Sequence, residues 1–347
     1  MRRKFISGSM GVFFFIWRQP VSEETEGLRA ESLARSKVRG AVSEETEGLR
    51  AESLARRKLR ALLLTWHSQH LKTGGQTMRF IYPQGKEKAL TFSYDDGQIF
   101  DRKLVEIFNS HGLKGTFHLN SGQLEEKEGK IFVTKAEVAS LYAGHEVACH
   151  GVEHRHPTLL NAQQLVREVE DDRMTLEQLT GGFVQGMSYA FGDYNQKVKE
   201  VLKTLGILYS RTVNSTGNFS VPADFLEWHP TCHHNNGLAE IGERFLHVPE
   251  YEELPLMYVW GHSFEFGNSN DFSVIEAFAE QMAGRKEIWY ATNIEICRYI
   301  QAVRSLEYSA DGHVAYNPSA VSVWIREKEE KREIKSGETV ILRSTSL

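Results

Sequence analysis

The chain has 347 residues and a formal net charge of −5, with 41% hydrophobic and 11% aromatic residues, a composition suited to a globular core. This mildly acidic balance gives no support for a nucleic-acid partner or for binding to an anionic membrane surface. Its three cysteines show no CxxC spacing, which argues against a disulfide framework and favours a reducing, cytoplasmic location.

Residues 1–77 differ in character from the rest of the chain. VSEETEGLRAESLAR occurs at Val21–Arg35 and again, unchanged, at Val42–Arg56, whereas the repeats of a folded solenoid normally diverge. The opening MRRKFISGSMGVFFFIW resembles a signal peptide but lacks a small-residue cleavage site. No apolar run reaches the roughly 20 residues of a membrane span. We predict that 1–77 is an appended extension, disordered or helical; a secreted or cell-surface location follows only if its start acts as a signal.

From Met78 onward, short strand-like runs alternate with helical periodicities, the pattern of a (β/α) architecture. The first buried strand, within Leu90–Gly97, ends in the adjacent carboxylates Asp95 and Asp96. Further strands are expected at Gly115–Asn120, His145–Cys149, Met187–Gly192, Leu208–Val213, Leu256–Gly261 and Ile288–Thr292. Helices are predicted between them, with caps at Asp101, Thr134, Asn161, Ser273 and Asn293. Residues 214–246 show no clear periodicity and are predicted to be loop-rich.

The C-terminal part changes character. Val314–Leu342 alternates apolar and polar residues around the turn Lys335–Gly337. This pattern predicts β-hairpins packed on the main domain, and not another β/α unit.

Four polar features follow predicted strands, and they are the Asp95–Asp96 pair, His150 with His154, the Ala190–Gly192 loop, and His262. In a parallel barrel these strand ends converge on one face. The two histidines of HGVEH are four residues apart, so that on one helical turn they face the same way. Two imidazoles and one carboxylate make a three-ligand site of the catalytic zinc type. Taken singly, Asp-Asp-Gly is also a common turn, and histidine pairs arise by chance.

The motifs TFSYDDG, HGVEH, SYAFGDYN and VWGH, in this order, resemble those of the polysaccharide deacetylase family, the NodB-homology domain of carbohydrate esterase family four. The resemblance covers about residues 86–308. It implies an α/β fold with a distorted (β/α) barrel, which we place at 78–308 with about seven strands. The alternating C-terminal pattern adds a small β extension at 309–347. The resemblance also implies a metal-dependent hydrolase that removes acetyl groups from N-acetylated polysaccharides or oligosaccharides.

The resemblance assigns roles to the matching residues. It makes Asp95 the general base, His262 the general acid, and Asp96, His150 and His154 the ligands of a divalent metal. Zinc is the expected ion, and cobalt, nickel or manganese are allowed by this set of nitrogen and oxygen ligands.

Residues around these motifs are assigned to the substrate. A backbone N–H in the Tyr189–Phe191 loop, which includes Ala190, is expected to bind the oxyanion. Trp260 either stacks on a sugar face or packs in the core. His118, His233 and His234 either line the pocket or are structural, and Cys149 is expected to be buried packing.

Two departures from the family pattern stand out. Gly151 replaces a Ser or Thr in the second motif, so a hydroxyl that steadies that loop is missing. Ser188 stands where the family has an arginine that pairs with the base. The nearest replacement is Arg211, which would hold Asp95 ionised, and the alternative for Arg211 is a surface or interstrand salt bridge.

Other functions remain open at this point. The same machinery can act on another C–N bond, such as a cyclic amide or ureide. A catalytically weak carbohydrate-binding homologue is a third interpretation, for which Ser188 and Gly151 are the only support. A carbohydrate is the expected partner, and the sequence leaves the oligomeric state undetermined.

Overall fold

The structure is a computed structural model that describes residues 78–127 and 130–342. The predicted extension at 1–77, with its repeats, lies outside the described residues. The strands are β1 (Met78–Ile81), β2 (Lys88–Asp96), β3 (Thr116–Leu119), β4 (Glu126–Lys127), β5 (Lys130–Ile131), β6 (Glu146–Cys149), β7 (Gly186–Ser188), β8 (Tyr209–Arg211), β9 (Cys232–His233), β10 (Leu256–His262), β11 (Ile288–Tyr290), β12 (Glu307–Tyr308), β13 (Val314–Tyr316), β14 (Val323–Glu327), β15 (Glu330–Ile334) and β16 (Thr339–Ile341).

Eight α-helices lie within the described residues. They are α1 (Asp101–Ser110), α2 (Val138–Leu141), α3 (Ala162–Thr180), α4 (Gln196–Thr204), α5 (Leu238–Leu246), α6 (Ser263–Ser269), α7 (Ser273–Met282) and α8 (Asn293–Ser305). Short 3₁₀ turns occupy Pro83–Gly85, Pro157–Leu159, Ala190–Gly192 and Phe225–Glu227. None of the helices described between 78 and 342 is both long enough and apolar enough to cross a bilayer.

The main sheet is parallel and curls into a barrel. Seven strands follow one another in the order β8-β7-β6-β3-β2-β10-β9, and β11 pairs with the start of β2. β2 is the centre of the sheet and is buried along all of its length except at Asp96. Parallel strands covered on both faces need continuous apolar sequence, which Ala89–Tyr94 supplies apart from two small hydroxyl residues. The predicted fold class, a distorted barrel of about seven strands, is confirmed.

One irregular segment links β8, at one edge of the sheet, to β10, next to the strand at the other edge. Trp228 donates its N–H to Ser210 O of β8 at 3.1 Å. Three residues later, Thr231 donates to Tyr258 O of β10 at 2.8 Å. Residues 228–233 therefore bridge β8 and β10, with β9 as their only regular strand.

Residues 214–246 contain more structure than their sequence indicates. β9 and α5 both lie there, although no periodicity predicted them. β9 has only two residues, which is too short for a period to show. The amphipathic turns of α5 begin after Gly237, whose φ of +67° favours glycine.

The predicted C-terminal β extension is confirmed. β14 and β15 form an antiparallel hairpin, and β12, β13 and β16 form a second antiparallel sheet. β14 also pairs with β1, with Met78 opposite Glu327. The first described strand is therefore held in one small sheet with the C-terminal hairpin.

The sequence predicted the presence of helices better than the residues that cap their first turns. Asn161 caps α3 with a capping box to Gln164, as expected. Asp101, in contrast, is the first residue of α1 and not its cap, because its buried carboxylate accepts hydrogen bonds from Tyr142 and Ser263. The predicted capping boxes at Thr134 and Ser273 are absent from α2 and α7. Thr292, one residue before the predicted Asn293, caps α8.

Candidate active site

The carboxyl ends of six neighbouring strands bring the candidate residues to one face of the barrel. The strand register places Asp95 of β2 beside His262 of β10 on one side and His118 of β3 on the other. His150 directly follows β6, and Ser188 of β7 pairs with Arg211 of β8. All of the catalytic and metal residues expected from sequence therefore lie at this face, as a parallel barrel requires.

Asp96, His150 and His154 form a group that fits a metal ion. Asp96 Oδ1 lies 3.6 Å from His150 Nε2 and 3.7 Å from His154 Nε2. These separations are too long for good hydrogen bonds. They are near the edge of a ligand tetrahedron, about 3.4 Å for metal–ligand bonds of about 2.1 Å. All three ligating atoms lie within 4.8 Å of one another.

The environment of His150 selects the tautomer that metal binding requires. Its Nδ1 lies 3.0 Å from Ser188 O, an acceptor, so Nδ1 carries the proton and Nε2 presents a lone pair towards Asp96. Burial lowers the pKa of His150 to about 3, against the opposing charge of Asp95, which keeps the ring neutral. The donor set, its spacing and this tautomer all fit a divalent ion.

The loop that carries the two histidines is not helical, contrary to the expectation that one helical turn aligns them. Gly151 has a φ of +87° and His154 a φ of +56°, both in the left-handed region. This sharp loop, and not an i,i+4 spacing on a helix, brings the two rings together, with centroids 4.7 Å apart.

Two carboxylates of α3 hold that loop. Asp172 Oδ2 accepts the N–H groups of His150 and Gly151 at 3.0 Å each, and its Oδ1 accepts that of Ser121 at 2.9 Å. Glu168 Oε1 accepts from Glu153 N at 2.8 Å. These bonds hold the backbone of the loop without any side chain at Gly151.

Gly151 is required by its surroundings. A Cβ there would lie 2.8 Å from Glu168 Oε1, and the positive φ would strain any other residue. A sequence signal for this brace existed, because Glu168 and Asp172 fall on the otherwise apolar, buried face of α3.

Asp95 is buried and held as a carboxylate. Arg211, with no exposed surface, pairs its Nη2 with Asp95 Oδ2, and Ser188 Oγ donates to Oδ1 at 3.0 Å. Burial alone would raise the pKa of Asp95. The Arg211 charge and the neighbouring imidazoles outweigh it and hold that pKa well below its usual range. Since Arg211 lies inside the barrel, the surface alternative for it is excluded.

Arg211 is itself fixed on several sides. Its Nε donates to Ser93 Oγ at 2.9 Å and its Nη1 to Thr212 O at 3.1 Å. Its guanidinium also lies 4.4 Å from the centroid of the Trp260 ring. Trp260 is only 9% exposed and donates to Ser215 Oγ, which favours the packing alternative for this side chain.

His262 is paired with a glutamate that the sequence reasoning missed. Its Nδ1 lies 2.7 Å from Glu265 Oε1, three residues further on in the first turn of α6. Burial opposes protonation, but this hydrogen bond and the charges of Asp95 and Asp96 outweigh it and raise the pKa of His262. The i,i+3 spacing of a histidine and a glutamate at a helix start was the available signal.

The loop after β7 contributes backbone N–H groups. Tyr189 N donates to Arg211 O at 3.0 Å, and the N–H groups of Gly192 and Asp193 are also used. Within the described part of the chain, Ala190 and Phe191 are the members of this loop whose N–H groups make no hydrogen bond. Phe191 has a φ of +59°, is 56% exposed and stacks on His156 at 3.9 Å.

Left-handed backbone is concentrated at this site. Asp96, His154 and Phe191 are three of the eight non-glycine residues with positive φ among those described. Such conformations cost of order 1–3 kcal/mol each and persist where the surroundings impose them, often at functional sites.

Burial keeps two side chains near the site in their neutral forms. Burial raises the pKa of the Cys149 thiol well above its usual value, which supports packing over nucleophilic chemistry. His118 has its pKa lowered to about 4 by burial and its Nδ1 lies 3.3 Å from Cys149 O.

Comparison with known proteins gives a family match. Residues 82–210 match the model of the family described as polysaccharide deacetylase. This match covers Asp95, Asp96, His150, His154 and Ser188, and it ends just before Arg211. No curated protein matches the chain.

Solved structures similar to this chain include a family 4 carbohydrate esterase from Streptomyces lividans in complex with acetate, at 19% identity and a TM-score of 0.39, covering 58% of this chain and 90% of that chain. A Xyl-CE4 domain of a multidomain xylanase from the hindgut metagenome of Trinervitermes trinervoides is 18% identical, with a TM-score of 0.45 and coverages of 65% and 99%. Puue allantoinase is 13% identical, with a TM-score of 0.48 and coverages of 62% and 91%.

Proposed function

With residues 82–210 matched to the polysaccharide deacetylase family, we propose that this protein is a metal-dependent deacetylase of N-acetylated sugars. The family match supports a deacetylase. The metal and the substrate class are our proposal. The observation that carries it is the junction at Ser188, whose carbonyl sets the tautomer of His150 and whose hydroxyl donates to Asp95. A candidate metal ligand and a candidate base are thereby held side by side.

In this proposal Asp96, His150 and His154 hold a divalent ion. The ion supplies a Lewis acid for the acetyl carbonyl and for water. Asp95 lies within 3.8 Å of His150 and is ionised, so it accepts the proton of the attacking water as the C–O bond forms. Arg211 and Ser188 keep its two oxygens in place during this transfer.

As water attacks, negative charge develops on the carbonyl oxygen, and in this proposal the loop after β7 stabilises it. The N–H groups of Ala190 and Phe191 are the ones free to donate to it, so the proposed oxyanion donors narrow from Tyr189–Phe191 to these two. The left-handed φ of Phe191 is consistent with a backbone set for this purpose.

His262 completes the reaction. Its Nδ1–H is committed to Glu265, so Nε2 is the nitrogen that delivers a proton to the departing amine as the C–N bond breaks. Acetate and a free amino sugar leave, and the proton taken by Asp95 balances the one given by His262.

The test uses the purified chain, zinc, and oligomers of N-acetylglucosamine, with acetate release as the readout. We expect one zinc per chain by elemental analysis, and acetate release that Asp95→Asn abolishes while zinc content is kept. Zinc binding without acetate release from any of a panel of N-acetylated sugars would overturn the substrate assignment and favour another C–N bond. Absence of bound metal would overturn the enzymatic proposal altogether.

A further inference from the structure

Four side-chain nitrogen atoms on two segments of the chain surround the carboxylate of Glu265. Its Oε1 lies 2.7 Å from His262 Nδ1 and 3.2 Å from His233 Nε2. Its Oε2 lies 2.6 Å from Asn235 Nδ2 and 3.3 Å from His234 Nε2. His262 and His233 therefore share a single carboxylate oxygen.

His233, His234 and Glu265 are also close enough together to hold a metal ion. The hydrogen bonds indicate instead that His233 is a hydrogen-bond donor and not a metal ligand. Asn235 N–H donates to His233 Nδ1 at 3.2 Å, so that nitrogen is an acceptor and Nε2 carries the proton. A protonated Nε2 that points at a carboxylate donates to it and has no lone pair for a cation. The contact at 3.2 Å is of hydrogen-bond length, unlike the longer separations around Asp96.

We propose that His233 is a positioning residue: by donating to the Glu265 oxygen that also accepts from His262 Nδ1, it limits how strongly that oxygen stabilises the protonated His262 ring. A carboxylate oxygen that already accepts one N–H is a weaker acceptor for the next. His233 thereby sets the pH range over which His262 can give up the proton on its Nε2. The catalytic consequence rests on the proposed function, whereas the effect on His262 itself does not.

Other charged and aromatic groups also surround His262, and they are the same in every variant proposed below except Glu265→Gln. Asp95 and Asp96 act on it from the end of β2, the Trp260 ring lies 5.9 Å away on its own strand, and Phe264 lies 5.0 Å away on α6. His234, fully buried, contributes an imidazole whose pKa burial lowers, so it adds no competing charge near neutral pH. Glu265 is ionised, because the three imidazoles outweigh its burial and hold its pKa well below the usual range.

His233 can be substituted without changing the segment that carries His262 and Glu265. It is on β9 and not on the β10–α6 segment of His262 and Glu265, and its ring packs edge-on against Trp260 at 4.7 Å. Removing its donor leaves the His262–Glu265 pair and its i,i+3 geometry in place.

The experiment follows the titration of His262 by NMR of histidine ring nuclei in the zinc-loaded full chain, assigned by the signal missing in His262→Gln. In His233→Phe, which removes the donor, we expect the titration midpoint to rise by about 0.5–1 pH unit. In His233→Gln, whose amide N–H keeps a donor to Glu265, we expect the wild-type midpoint. In Glu265→Gln, which removes the charge, we expect a fall of about 1 unit or more.

The same variants separate this inference from the proposed function. If acetate is released, the alkaline limb of kcat/KM should move with the NMR midpoint in each variant. A midpoint that moves as expected in a protein that deacetylates nothing would support this inference and overturn the proposed function. An unchanged midpoint in His233→Phe would overturn the inference. A second zinc equivalent that His233→Phe removes would also overturn it, because the group would then be a metal site.

Discussion

Arg211 and Asp95 form a buried ion pair across the inside of the barrel, 116 residues apart in the chain and on strands that are not neighbours. Ser188, on the strand next to that of Arg211, donates its hydroxyl to the other oxygen of the same carboxylate. Two residues on adjacent strands therefore hold Asp95 in place together.

Arg211→Ala tests this pair. Without the guanidinium, burial dominates and the pKa of Asp95 rises, so the acidic limb of kcat/KM should move to higher pH and activity at neutral pH should fall by at least about 100-fold. Leaving a buried charge unpaired should also lower the free energy of unfolding by about 3–5 kcal/mol. Denaturant unfolding and pH–rate profiles measure both effects. Arg211→Ala activity within a few-fold of wild type would remove Arg211 from the mechanism.

His154→Ala tests the metal group. The variant should lose zinc, whereas His156→Ala, two residues away and stacked on Phe191, should keep it. Zinc at about 100 times its Kd should stabilise the wild type by about 2.7 kcal/mol, an effect that His154→Ala abolishes. Elemental analysis and the dependence of Tm on zinc concentration are the measurements. A His154→Ala protein that keeps both metal and activity would refute the site.

Asp172→Asn tests the brace on the histidine loop. Three backbone N–H groups lose a charged acceptor, so zinc affinity should fall by about 10–100-fold, as for other residues that orient metal ligands. Asp171→Asn is the matched control, because its side chain is exposed on the neighbouring position of the same helix. Competition with a chelator gives the affinities. Equal affinities for the two variants would mean that the loop holds its shape without Asp172.

Asp101→Asn tests a buried acid behind the site. Burial raises the pKa of Asp101 to about 7, above its unfolded value near 3.9, so the native state binds the extra proton between these values. Its contribution to stability is therefore full at low pH and falls as pH rises towards 7, by up to about 2 kcal/mol between pH 5 and 7. The wild type should lose more unfolding free energy over this range than Asp101→Asn. Parallel pH dependences in the two proteins would contradict the assignment.

The candidate metal and acid–base residues could be predicted from sequence. Their side chains have the required chemistry, and they lie at the ends of predicted strands. Asp95, Asp96, His150, His154 and His262 lie at or after the carboxyl ends of buried strands, and a parallel barrel brings such ends together. Their roles stay predictions until the variants above are measured.

The supporting residues could not be predicted in the same way. Glu265 and Asp172 act on these groups through contacts that depend on tertiary packing, and each reads in sequence as an ordinary helix acid. Asp101 shows the same limit, because the sequence predicted a local role for a side chain that distant residues bind. Its position suggests a helix cap, but Tyr142 and Ser263, distant in sequence, capture its carboxylate.

The pairing of β1 with β14 bears on when the protein finishes folding during its synthesis. Met78 pairs with Glu327, about 250 residues later in the chain. At about 5–20 residues per second, β1 therefore waits about 10–50 seconds for its partner strand. Glu87 likewise waits for Arg326 and Lys331. Because the barrel strands emerge earlier, the C-terminal hairpin is a late step that covers an exposed strand edge, and a chain cut before it would retain that edge as a site for aggregation.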